Sequence, residues 1–110
     1  RTTMARTDKV GTHETSIYHT DYGDTVVQYH NTQVVRFNAD EIVLDSGGWH
    51  TVTTKLRMNQ ASYQFGLGFY VHQRQFEWFV TNGNRTYDFN DGMILERQSV
   101  ETLERINANV

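Results

Sequence analysis

Gly66-Leu67-Gly68-Phe69-Tyr70-Val71-His72-Gln73-Arg74-Gln75-Phe76-Glu77-Trp78-Phe79-Val80-Thr81-Asn82-Gly83-Asn84 reads as two strands and the approach to a third. Leu67, Phe69 and Val71 fall on one side of an extended chain. Phe76, Trp78 and Val80 fall on one side of the next, with Gln73-Arg74 between them as the turn. This alternation calls for a sheet with one apolar face. Asn82-Gly83 is a favoured hairpin pair because it accepts the left-handed φ that tight loops need. It leads into Arg85-Thr86-Tyr87-Asp88-Phe89, where Tyr87 and Phe89 alternate with polar residues, and Asp91-Gly92 then turns the chain into Met93-Ile94-Leu95.

Towards the N-terminus, Thr25-Val26-Val27-Gln28-Tyr29-His30 and Gln33-Val34-Val35-Arg36-Phe37 are β-branched and aromatic runs flanking Asn31-Thr32. Glu41-Ile42-Val43-Leu44-Asp45 follows the turn Asn38-Ala39-Asp40. Val35 with Phe37, and Ile42 with Leu44, give this second hairpin one side to bury. Between the two sets of strands, Thr54 to Ser62 is rich in helix formers. Leu56, Gln60 and Tyr63 make one stripe there, Met58 and Ala61 lie beside it, and Thr51 or Thr53 is placed to cap the helix. Ser99 to Ala108 carries Val100, Leu103 and Ile106 at helical spacing, so a C-terminal helix is expected. The fold class is α+β: a largely antiparallel sheet of about five or six strands, a short helix across one face and a C-terminal helix. Residues 1–22, rich in Thr, charge and His without an apolar period, read as a flexible N-terminal arm, with Arg1-Thr2-Thr3 ahead of Met4 left out of functional reasoning. Residues 23–110 make the single α+β domain.

Composition narrows the function classes. The 110 residues include no cysteine, which excludes disulfides, zinc-thiolate sites and a cysteine nucleophile and fits a reducing cytoplasm. No apolar run approaches the roughly 20 residues that span a bilayer, and no membrane partner is expected. Lys and Arg number 10 against 13 Asp and Glu, so the overall field does not draw the chain to a polyanion, and nucleic-acid binding has to be local. Proline is absent, which leaves the turns to Gly, Asn and Asp.

The stretch Ser46-Gly47-Gly48-Trp49-His50-Thr51-Val52-Thr53-Thr54-Lys55-Leu56-Arg57-Met58-Asn59 is where chemistry concentrates. Gly47 and Gly48 permit turn conformations closed to other residues, and a helix N-terminus presents unpaired N–H groups with partial positive charge. With hydroxyls from Thr51, Thr53 and Thr54, the imidazole of His50 and the cations Lys55 and Arg57, the set suits a phosphate or another anionic ligand. The spacing is not that of a P-loop. The same residues also read as a plain strand-to-helix turn with Trp49 as a core anchor, capping threonines and solvated cations.

Five histidines invite a metal reading, but no H-x-x-x-H or H-x-H pair is present, and neither a metal nor a cofactor is expected. His30 is a secondary candidate, as a general base that Asp24 or Asp45 would orient; no nucleophile stands near it in a recognisable context. Tyr70 and Phe79 fall opposite the inward set of their strands and are the exposed rings available to stack on a base or meet a protein.

Tyr29-His30-Asn31-Thr32-Gln33-Val34-Val35, Leu44-Asp45-Ser46-Gly47-Gly48-Trp49, Thr51 to Asn59 and Val71 to Val80 together resemble a family of small proteins from tailed bacteriophages and prophages. The resemblance spans roughly Asp24 to Met93 and is most specific at Ser-Gly-Gly-Trp and Thr-Thr-Lys-x-Arg-x-Asn. It implies a phage origin and the cytoplasm of an infected bacterium, and it transfers no catalytic residues. The function expected is non-catalytic binding of a host or phage protein during infection, for example to inhibit a host enzyme or defence. A nucleotide or nucleic-acid phosphate at the Gly47-Gly48 loop is the alternative, and a virion accessory or capsid-cementing role a third. A homo-oligomer formed through the C-terminal helix stays open.

Overall fold

The computed structural model describes residues 10–97. Its elements run β1 (Thr15–His19), β2 (Thr25–Tyr29), β3 (Thr32–Phe37), β4 (Glu41–Leu44), α1 (Val52–Phe65), β5 (Phe69–Arg74), β6 (Glu77–Asn82), β7 (Arg85–Asp88) and β8 (Met93–Glu96). The α+β class holds, but the strands form two antiparallel sheets rather than one. Five strands lie in the order β1-β2-β3-β4-β8 and three in the order β5-β6-β7. The expected helix from Ser99 to Ala108 lies outside the described residues.

The pattern that assigned the strands also assigns their faces. Val35 pairs with Leu44 and Phe37 with Ile42, and Ile42 in turn with Leu95, so the inner face of the larger sheet carries one row of apolar side chains. Across from it stand Phe69, Val71, Trp78 and Val80 of the smaller sheet and Met58 and Ala61 of α1, all joined in one core. The helix packs on β2 and β3 and runs along β5. Thr51 is its N-cap, accepting from the Thr54 N–H, and Gly66 ends it in the left-handed conformation at φ 64°.

The division into two sheets has a local cause. Asn59 donates to the Val71 carbonyl at 2.8 Å and accepts from the Val71 N–H at 2.7 Å. Ser62 donates to the Phe69 carbonyl at 2.6 Å and accepts from its N–H at 3.1 Å. Polar side chains of α1 thus occupy the outer edge of β5, where the larger sheet would otherwise join it. The buried stripe of the helix is accordingly not the expected one: Thr54, Arg57, Gln60 and Ser62 are buried with Met58 and Ala61, whereas Tyr63 is exposed.

Two further expectations are corrected. The turn between β5 and β6 is Gln75-Phe76, not Gln73-Arg74, because Arg74 pairs with Glu77. Both turn residues take positive φ, 51° and 69°, and Phe76 points into solvent at 93% exposure instead of into the core. Part of the expected N-terminal arm is ordered structure: β1 pairs with β2 from Thr15 opposite Tyr29 to His19 opposite Thr25. Val10 is buried in the core, and the Val10 and Gly11 N–H groups donate to Gln64 and Gln60 of α1. A strand at a sheet edge whose side chains are mostly exposed, as in Thr15-Ser16-Ile17-Tyr18-His19, has no need of an apolar period, which is why the sequence hides it.

Candidate functional site

The Gly-Gly loop is closed on itself. Asp91, from the turn before β8, accepts from the Ser46 N–H at 2.8 Å, the Ser46 hydroxyl at 2.6 Å and the Gly48 N–H at 3.3 Å. The Gly47 N–H donates to Asp45 Oδ1 at 2.7 Å. Two carboxylates therefore hold the N–H groups of Ser46, Gly47 and Gly48. Burial raises the Asp91 carboxyl, but the hydrogen bonds from Ser46 and Gly48 and the nearby His50 outweigh it, and the group titrates below its ordinary 3.8. Gly47 has a second role. At φ 64° its α-carbon lies against the Thr32 side chain so closely that a Cβ would collide with the Thr32 hydroxyl, which clamps the loop to the β2–β3 hairpin.

That clamp forms a recess of about 390 Å³ lined by Tyr29, His30, Thr32, Trp49, Thr51 and Thr54 among others. It brings the secondary candidate His30 to the primary stretch. His30 takes φ 53° in its loop, packs on the Tyr29 ring and lies 3.7 Å from the Glu14 carboxylate. Neither expected orienting acid reaches it: Asp24 is bonded to Arg36 at 2.7 Å and to Asn38, and Asp45 is held by Gly47.

The other candidates point elsewhere. His50 stacks on Trp78 at 4.6 Å between centroids and meets the edge of Phe89. Lys55 lies over the same Trp78 ring at 5.9 Å and donates to Gln73. Arg57 is buried rather than solvated. It is 7% exposed, donates to Thr15 and Gln60, and covers the Tyr29 ring. Thr53 is half-buried in the first turn. Tyr70 and Phe79 lie on the outer face of the smaller sheet, as their alternation requires, with His72 stacked between them and bonded to Thr81. The remaining imidazoles are dispersed, and no three His, Cys, Asp or Glu among the described residues group to hold a metal ion. Among the described residues no helix is long and apolar enough to cross a membrane.

Sequence reasoning missed two rings. Trp49, read as a core anchor, is 70% exposed at the mouth of the recess, and Phe76 is nearly bare at the hairpin tip. His50, next to Trp49, stacks on Trp78, which stands two residues beyond Phe76. A Gly-Gly-Trp loop gave no apolar period to place Trp49 inside, which was the available signal for its exposure.

Fold and site together define a small two-layer α+β protein with an aromatic-rimmed recess at one helix N-terminus. The sequence profile of the Kyanoviridae Gp96 protein family matches residues 2–96, and the chain belongs to that phage family. No curated protein and no solved structure matches it.

Proposed function

We propose that the protein is a non-catalytic binding protein made during phage infection, and that Trp49 and Phe76 form its contact with a host or phage protein. Phe76 is the observation that carries this reading. A two-residue hairpin loop with both φ values positive is cheapest as Asn-Gly, and a bulky residue in the left-handed region costs about 1–2 kcal/mol. Here the second position holds a phenyl ring at 93% exposure. That ring gives the fold nothing in packing, and strain of this kind gathers where a residue serves binding. Trp49 adds a second large aromatic beside a concave surface, the combination that dominates protein interfaces. A protein is favoured over a phosphate ligand because the Gly47 and Gly48 N–H groups already donate within the chain.

The test is capture from infected cells with the wild-type chain, Trp49→Ala and Phe76→Gly. Phe76→Gly is expected to fold with stability equal to wild type or higher by up to about 1 kcal/mol, since Gly relieves the positive φ. A single partner captured by wild type and lost from both variants supports the proposal. Retention of that partner by well-folded Phe76→Gly and Trp49→Ala overturns it. Recovery of the chain from purified particles would assign the partner to the virion.

A further inference from the structure

A second cavity, about 560 Å³, opens between β7 and β8 and shares no residue with the recess beside Trp49. Asn82, Arg85, Tyr87, Ile94 and Glu96 are among its walls. Asn82 is 6% exposed, and its Nδ2 donates to the Glu96 carbonyl at 2.9 Å. A carbonyl only accepts, so this bond sets the amide orientation and Oδ1 faces the other way. Among the described residues that oxygen is a buried acceptor with no donor. Buried acceptors are nearly always satisfied, and leaving one unmet costs about 1–3 kcal/mol.

The edge of β8 supplies the rest of the site. The Arg97 N–H donates to the Asp40 carbonyl, so residues 95 and 97 turn their main-chain groups towards β4. By antiparallel alternation Ile94 and Glu96 turn theirs away, and the Glu96 bond to Asn82 agrees. The edge of β5, by contrast, is closed by Asn59 and Ser62. The larger sheet also ends before it covers β7: Trp78, Val80 and Asn82 of β6 are buried, whereas Tyr87 of β7 is 41% exposed and Ile94 of β8 is 63% exposed. Arg85 and Glu96 contribute one charge of each sign, which matches a neutral chain of alternating donors and acceptors rather than a phosphate.

We propose that this groove binds an extended peptide segment of a partner protein, added as a sixth strand along the edge of β8 that no described strand pairs, with the Asn82 amide swinging off the Glu96 carbonyl so that its Oδ1 accepts one of the peptide N–H groups. Backbone pairing is largely blind to sequence, so a blocked pentapeptide of alternating Thr and Val serves as the reagent. Titrated to millimolar concentration against the isotope-labelled chain, it is expected to shift the Asn82 side-chain amide resonance and to slow exchange of the Ile94 and Glu96 amides about tenfold or more. The same peptide N-methylated at alternate residues is expected to do neither. Ile94→Pro, tolerated at an edge because the lost N–H faces outward, is expected to weaken binding about tenfold or more with little change in melting. Trp49→Ala is expected to leave the titration unchanged. The proposal is overturned by an unchanged Asn82 resonance, by equal binding of the N-methylated peptide, by loss of binding in Trp49→Ala, or by a β8-to-β8 dimer in sedimentation that excludes the peptide.

Discussion

Two adjacent glycines, at residues 47 and 48, have different duties. Both lie at positive φ, but only Gly47 has a side chain, Thr32, where its own Cβ would stand. Gly47→Ala is therefore expected to destabilise by about 2–4 kcal/mol and Gly48→Ala by only about 1 kcal/mol, read from urea midpoints. Acid stability is the second test at this scale. Asp91 is held below 3.8 as described, and Asp24 likewise, through the hydrogen bonds from Arg36 and then Asn38. A carboxyl with a depressed folded pKa adds stability above its unfolded value and loses it as pH falls through the folded one. The chain should thus lose stability on acidification below about pH 4, and Asp91→Asn should flatten that limb of a melting-temperature profile. The residue types at the loop were legible in the sequence. Their partners were not, because Asp45 and Asp91 stand on two different turns and only the fold brings both to one pair of glycines.

At the scale of elements, the strands were readable because apolar alternation survives wherever a strand has one face on the core: Phe69, Val71, Trp78 and Val80 all lie inside as expected. The helix was located but its face was misread. Its inward side carries Thr54, Asn59, Gln60 and Ser62, which bond Thr51, Arg57 and the backbone of Gly11, Phe69 and Val71, and periodicity of hydrophobic residues cannot register a polar interface. Asn59→Ala leaves the Val71 N–H and carbonyl without their partners and is expected to cost about 1–3 kcal/mol. Its signature is local: faster exchange of the Val71 amide than of the Val80 amide on β6. The hairpin turn was displaced by two residues for a comparable reason. Gln75-Phe76 has none of the usual turn chemistry, and a phenyl ring counted as core by alternation is held outward by backbone conformation alone.

At the scale of the molecule, the N-terminal segment and the two layers are joined through Arg57. Its guanidinium bonds Thr15 of β1, lies over Tyr29 of β2 and is covered by Gly11, whose α-carbon leaves no room for a Cβ beside it. Arg57→Ala is expected to destabilise by about 2–4 kcal/mol and to open residues 10–19 to proteolysis before the rest of the chain, which limited digestion checks. The sequence by itself determined the phage family, the α+β class and which side of most strands is apolar, because those follow from local motif and period. Only the tertiary structure decided that the strands divide into two sheets, that Arg57 turns inward, that Trp49 and Phe76 stay outside and that no described strand pairs with the outer edge of β8. The sheet division and the inward turn of Arg57 depend on polar residues meeting partners far along the chain, and the exposure of Phe76 depends on a strained turn; hydrophobic period encodes neither.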